Sequence, residues 1–345
     1  MEPLTHFLTG ACMGRAGFNR KTALATATMT LAAEAPDLDV FGRFRGPVFG
    51  FAHHRGFSHS FLGLLIVSGV VVGFMYCVWH VRGRKTNFPD LPPKWGLLFV
   101  LAYLAGLSHI LLDFTNNYGV RPFWPFSERW YEWDIVFIVD PILLAALVGG
   151  LVLPSLFALV DQEVGVRPKR FRGRAAAIAA LGVMAALWAV RDFEHRRAVA
   201  ALDARTYQGE VPLRVGAFPT FWNPFIWRAV VETRDSFTLT EVDSAKPEVD
   251  PFDHMESLAK PPETSATQTA KQSYVGRVYL DWAKFPVVEP DAVEGGGYLV
   301  HFYDLRFVTS FKVGGRRPLT AGVLLDHDLR VVREFMGMAA QSPPD

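Results

Sequence analysis

Residues 60–81, SFLGLLIVSGVVVGFMYCVWHV, contain no Asp, Glu, Lys or Arg. A helix needs about 20 predominantly apolar residues to cross the hydrocarbon core of a bilayer. This run meets that requirement alone, and a helix apolar on every side finds its place inside a membrane more readily than on a soluble surface. Asp134–Val160 is a second such run, broken only by Asp134 and Asp140. Gly96–Asp113 keeps its polar residues, Ser108, His109 and Asp113, at its C-terminal end, and Ala175–Val190 is uncharged and rich in Ala and Leu. Leu4–Met13 and Thr22–Ala35 are shorter and rich in the small residues that let membrane helices approach closely. The pattern predicts an α-helical polytopic membrane domain of about six helices, two of them short.

Lys and Arg then set an orientation. They gather in three loops: Arg15, Arg20 and Lys21; Arg82, Arg84, Lys85 and Lys94; Arg167, Lys169, Arg170, Arg172 and Arg174. The alternate loops hold fewer, Arg43, Arg45 and Arg55, then Arg121 and Arg129. The positive-inside rule places the first set in the cytoplasm. The opening MEPLTHFLTG lacks the basic segment of a cleaved signal peptide and is expected to be retained.

Beyond Arg191 long apolar runs stop. RAVVET, FTLTEV, SYVGRVYLDW, GGYLVHFYDLRFVTSF and AGVLLDHDLRVV are short and rich in β-branched and aromatic residues, which reads as strands. The polar, Pro-rich stretch 246–271 between them reads as a loop. The expected division is a membrane domain over 1–190, a linker over 191–204 and a β-rich soluble domain over 205–345 outside the cytoplasm. A formal net charge of +1 gives no reason to expect nucleic acid. Cys12 and Cys77 form no CxxC and suggest no disulfide framework.

With this orientation the polar residues of the helical half fall on one side. His6 lies near the outer end of the first helix. Glu34, Asp37 and Asp39 follow the second in AEAPDLD, and His53, His54 and His59 precede the third in HHRGFSHS. His109 and Asp113 are spaced i, i+4 and so share a helix face. Each has an ordinary reading: a buried histidine, a helix stop, a cap for Asp140 before Pro141. Together, imidazoles and carboxylates suit Zn²⁺ first, or Mn²⁺ or Fe²⁺. The absence of nearby cysteine argues against a closed structural zinc site. More than four candidates suit an open catalytic site of one or two ions, where metal-activated water would act as nucleophile. Arg55 is suited to grip a phosphate or carboxylate in bidentate fashion.

THFLTG, AEAPDLD, HRGFSHS and SHILLDFTNNYG, in this order between apolar segments, resemble the YdjM-like family of inner-membrane, metal-dependent hydrolases. The resemblance covers about residues 1–160, and NPFIW after FPTFW is similar to the C-terminal extension of longer members. It implies a His/Asp metal site formed by His6, Asp37, Asp39, His54, His59, His109 and Asp113. The expected activity is hydrolysis of an ester or phosphoester in a lipid or envelope-derived substrate at the extracytoplasmic face. His6 or Asp39 then completes a second metal site or serves as general base, and Arg55 binds the substrate. A metal-binding transporter and a non-catalytic scaffold with a structural metal are the alternatives.

Overall fold

The computed structural model describes residues 1–82, 91–164, 171–312 and 317–337. Arg84, Lys85, Arg167, Lys169 and Arg170, on which the orientation partly rests, lie outside the described residues. In chain order the helices are α1 (Pro3–Arg15), α2 (Ala25–Glu34), α3 (Pro47–His53), α4 (Phe61–Val81), α5 (Trp95–Phe114), α6 (Pro141–Glu163), α7 (Arg174–Asp203), α8 (Ser265–Gln272) and α9 (Tyr274–Trp282). The strands are β1 (Arg214–Pro219), β2 (Ile226–Glu232), β3 (Ser236–Asp243), β4 (Glu248–Val249), β5 (Glu256–Ala259), β6 (Pro286–Ala292), β7 (Tyr298–Asp304), β8 (Ala321–Leu325) and β9 (Val331–Met336). The chain divides into two compact units, residues 1–39 with 55–193, and residues 40–54 with 194–345.

Among the described residues, the first unit holds α1, α2, α4, α5, α6 and α7 as far as Phe193, and α4, α5, α6 and α7 are long and apolar enough to cross a membrane. At 1.5 Å rise per residue α1 and α2 extend only about 20 Å and 15 Å, short of the ~30 Å hydrocarbon core. They pack closely on each other. A Cβ on Gly10 would lie 2.5 Å from the Met29 carbonyl oxygen and 2.8 Å from Ala33 Cβ, so only glycine permits this approach. α2 in turn packs on α5 through Met29, Ala32, Ala33, Leu98, Leu101 and Ala105.

The span expected from Asp134 starts instead at Pro141. Residues 115–140 are irregular, tied by an antiparallel bridge between Val120 and Tyr131. Asp140 caps α6 by accepting the Ile142 and Leu143 amides, and its other oxygen pairs with the buried Arg191 of α7 at 3.1 Å. The stretch expected as a linker, 191–204, continues α7 as far as Asp203. Its sequence has no Gly or Pro, and Ala198 and Leu202 bury against Tyr207 and Trp227.

The second unit is β-rich. β1, β2 and β3 form an antiparallel meander, and β4 and β5 both pair with β3. β6 to β9 form a second antiparallel sheet in sequential order. SYVGRVYLDW, expected as a strand, forms α9. Val275, Tyr279 and Trp282 recur at helical spacing and are buried, and the Ser273 hydroxyl caps the helix by accepting the Gly276 amide. The stretch 246–271, expected as a loop, contributes β4, β5 and most of α8, the last opened by a reciprocal cap between Thr264 and Thr267. α3 packs within this unit: Phe51 stacks on Tyr279 at 6.0 Å and meets the Trp282 ring edge-on at 5.1 Å.

Candidate metal centre

Four segments of the first unit meet at one point. α1 brings His6. The 3-10 segment Ala35–Arg45 leaving α2 brings Asp37 and Asp39. The 3-10 turn Phe57–His59, just ahead of α4, brings His59, and α5 brings His109 and Asp113. Ser60 fixes the entry to α4 by accepting the Gly63 amide at 2.9 Å.

Asp37, His59, His109 and Asp113 each offer a ligand atom, and the four atoms lie within 4.8 Å of one another. The two Nε2 atoms of His59 and His109 are 3.0 Å apart. His59 Nε2 is 3.4 Å from both Asp37 Oδ1 and Asp113 Oδ2, and His109 Nε2 is 3.5 Å and 3.4 Å from the same atoms. Ligands about 2.0–2.2 Å from a tetrahedral ion stand about 3.4 Å apart, so the four atoms are spaced as such an ion requires.

Each member is held from behind. His109 Nδ1 donates to the Ala33 carbonyl at 2.6 Å, which leaves its Nε2 lone pair for the cluster. His59 Nδ1 lies 3.3 Å from Asp39 Oδ2 and 3.1 Å from Ser58 Oγ. Asp39 Oδ2 is itself fixed by the Arg55 amide at 2.7 Å, so Asp39 stands behind His59 rather than among the four. Asp113 Oδ1 accepts from Arg55 Nη2 at 2.7 Å and contacts the Met1 α-ammonium. Its Oδ2 is buried and has no hydrogen-bond donor among the described residues. That orphaned oxygen lies 3.4 Å from the Nε2 atoms of both imidazoles, and a donor set of two nitrogens and two carboxylates is one that could hold a divalent ion.

The remaining candidates fall around this core. His6 is fully buried, stacks on the His109 ring at 3.7 Å and has Nε2 3.5 Å from Asp113 Oδ1. Neither of its ring nitrogens has a hydrogen-bond partner among the described residues. The Arg55 guanidinium is committed to Asp113, to the Gly119 carbonyl at 3.0 Å and to Asn116 Oδ1 at 3.4 Å, and lies over Tyr118. His54 belongs to the other unit and is not one of the four. Asn116, Gly119 and Ser58 are supporting residues that residue type alone did not single out. Their signal lay in the polar letters of TNNYG and HRGFSHS.

His59 and Glu34 are among the groups here whose acidity is displaced. Burial opposes the charge on His59, but Asp113, Asp37 and Asp39 outweigh it and push the imidazole up to about 10. Burial, with Asp37 beside it, pushes the Glu34 carboxyl up to about 7, and Glu34 Oε2 is buried without a hydrogen-bond partner among the described residues.

Comparison with known proteins agrees with this architecture. The chain is 22% identical over 346 residues to a Bacillus subtilis (strain 168) protein described as uncharacterized protein YfhP, covering 98% of this chain and 95% of that one. No solved structure matches. Residues 1–198, which include every member of the cluster, match the family described as YdjM inner membrane protein. With four apolar helices of spanning length and more than half its length covered, the chain belongs to the YdjM family of inner membrane proteins.

Proposed function

We propose that the chain is a membrane-bound, metal-dependent hydrolase acting on an ester or phosphoester of a lipid or envelope-derived substrate, with the centre at the extracytoplasmic face. The observation that supports this most is the convergence of Asp37 Oδ1, His59 Nε2, His109 Nε2 and Asp113 Oδ2, with the two imidazole nitrogens 3.0 Å apart and each 3.4–3.5 Å from the two carboxylate oxygens. A bound divalent ion, Zn²⁺ in the first instance, would supply Lewis acidity and lower the pKa of a water towards roughly 7.

The protein's own groups divide the remaining work. His109 and His59 are oriented by the Ala33 carbonyl and by Asp39. Arg55 fixes the Asp113 carboxylate so that one oxygen is left for the cluster, which makes it a positioning residue. Glu34, whose carboxyl is raised by burial and by Asp37 and whose Oε2 is buried without a hydrogen-bond partner among the described residues, is the group we propose to take the proton of the attacking water. His6, stacked on His109 with unengaged ring nitrogens, completes the donor set on the α1 side.

Metal analysis of detergent-purified protein, followed by hydrolysis assays on phospholipids and chromogenic phosphodiesters with and without chelator, tests the reading. Wild type is expected to carry stoichiometric metal, and His59→Ala and His109→Ala to lose both metal and turnover. Glu34→Gln is expected to keep the metal and lose about 100-fold or more in kcat. Metal retained in both histidine variants sinks the centre; metal present with no turnover on any ester sinks the hydrolase.

A further inference from the structure

Away from the metal centre, the first unit carries a groove of about 530 Å³ lined by Arg20, Asp161, Arg172 and Arg174 together with the apolar Pro154 and Ile178. We propose that this groove binds the phosphate of an anionic phospholipid headgroup. The inference stands apart from the metal centre and needs only that α6 and α7 lie in lipid.

Charge is the first argument. Three guanidiniums line the groove against one carboxylate, Asp161. Arg172 Nη1 takes that carboxylate at 2.8 Å, and its Nη2 is buried with no hydrogen-bond partner among the described residues. Arg174 Nε donates to the Ala16 carbonyl at 3.0 Å, and Arg20 Nη2 reaches the Phe171 carbonyl only at 3.4 Å. Carbonyls satisfy hydrogen-bond donors but leave the positive charges uncompensated. A phosphate presents several anionic oxygens to several forked donors at once, which is the pairing guanidinium geometry favours.

Continuity with the lipid-facing surface is the second. Arg172 and Arg174 stand at the start of α7, one of the spans, and Gly173 between them has φ +81° with Pro154 of α6 directly against it. The turn therefore lies on α6 at its proline. Next to it, Leu153, Phe157 and Ile178 are 49%, 65% and 48% exposed, as side chains facing acyl chains would be. A ligand with an anionic head and apolar tails matches both parts, and basic pockets beside membrane helices are a recurring form of lipid recognition.

The full chain in neutral detergent is titrated with phosphatidylglycerol, phosphatidylcholine and free glycerol phosphate, with binding followed by native mass spectrometry and thermal shift. Phosphatidylglycerol is expected to bind and stabilise, and to lose about fivefold in affinity for each of Arg20→Gln and Arg172→Gln. Asp161→Asn removes the carboxylate that holds Arg172 and is expected to tighten binding by a similar factor, a gain that misfolding does not produce. Equal binding of phosphatidylcholine, or wild-type affinity for phosphatidylglycerol in both arginine variants, overturns the proposal. So does an Asp161→Asn variant that binds no more tightly than wild type. Free glycerol phosphate saturating at the same concentration as the lipid would assign the groove to a soluble anion and overturn the lipid.

Discussion

At the scale of single residues, the proposed metal uptake turns on His59. Its pKa is raised from the ordinary 6.5 to about 10, so in the metal-free protein the imidazole is charged at neutral pH. A ligand must be neutral, and uptake therefore expels a proton. Between about pH 7 and 10 the affinity is expected to rise by up to tenfold per pH unit. Calorimetry in buffers of different ionisation enthalpy should count the released proton; a pH-independent affinity would contradict it. The same shift has a stability consequence with the opposite sign. A raised folded pKa contributes stability that is complete below about 6.5 and is lost as the pH climbs through about 10. The metal-free protein should thus melt at lower temperature at pH 10 than at pH 7, and the loaded protein should show less of this loss. Asp39 stands behind His59, and Asp39→Asn is expected to weaken metal binding by about 10- to 100-fold without abolishing it, measurable by competition with a chromophoric chelator. Part of this was legible beforehand. The i, i+4 spacing of His109 and Asp113 announces a shared face. The partnership of Arg55 with Asp113 does not show in the sequence, because it depends on how the turn ahead of α4 folds over the end of α5. The sequence made Arg55 an anion binder; in the structure its guanidinium is occupied by the protein.

At the scale of elements, the long apolar runs identified themselves, since a span of about 20 uncharged residues has few alternatives. Shorter pieces did not. The composition of SYVGRVYLDW suggests a strand, and only the spacing of Val275, Tyr279 and Trp282 with the Ser273 cap reveals the helix. The end of α7 reads as a linker because the long apolar runs stop near Arg191, although Ala198 and Leu202, both buried, keep helical spacing. The α1–α2 pair carries a prediction of its own. A side chain at Gly10 collides with the Met29 carbonyl, so Gly10→Val should force the two helices apart. Overpacking of this kind costs about 1–3 kcal/mol. Since α1 carries His6 and the segment leaving α2 carries Asp37, metal content should fall together with the melting temperature. A variant that loses stability and keeps full metal would separate the packing from the centre.

At the scale of the whole molecule, the helix-then-sheet order was readable from composition alone, because charge and β-branched residues rise together after the last apolar run. The assignment of residues 40–54 was not. They lie between two ligand motifs and look like an ordinary outer loop, yet they group with residues 194–345. The physical reason is Phe51, which finds its aromatic partners in Tyr279 and Trp282 of α9, far along the chain. This threading predicts how the protein comes apart. A single protease nick just after Asp203 severs the backbone, but the C-terminal fragment still grips a strap that belongs covalently to the N-terminal one. The two pieces should co-purify on an affinity tag carried by either end, and separating them should require Phe51→Ala together with Leu202→Ala, since the end of α7 also buries against Tyr207 and Trp227. The strap is bounded by Asp39 on one side and Arg55 on the other, so whatever pulls on the β-rich fragment is handed along the chain to the residues that brace His59 and Asp113.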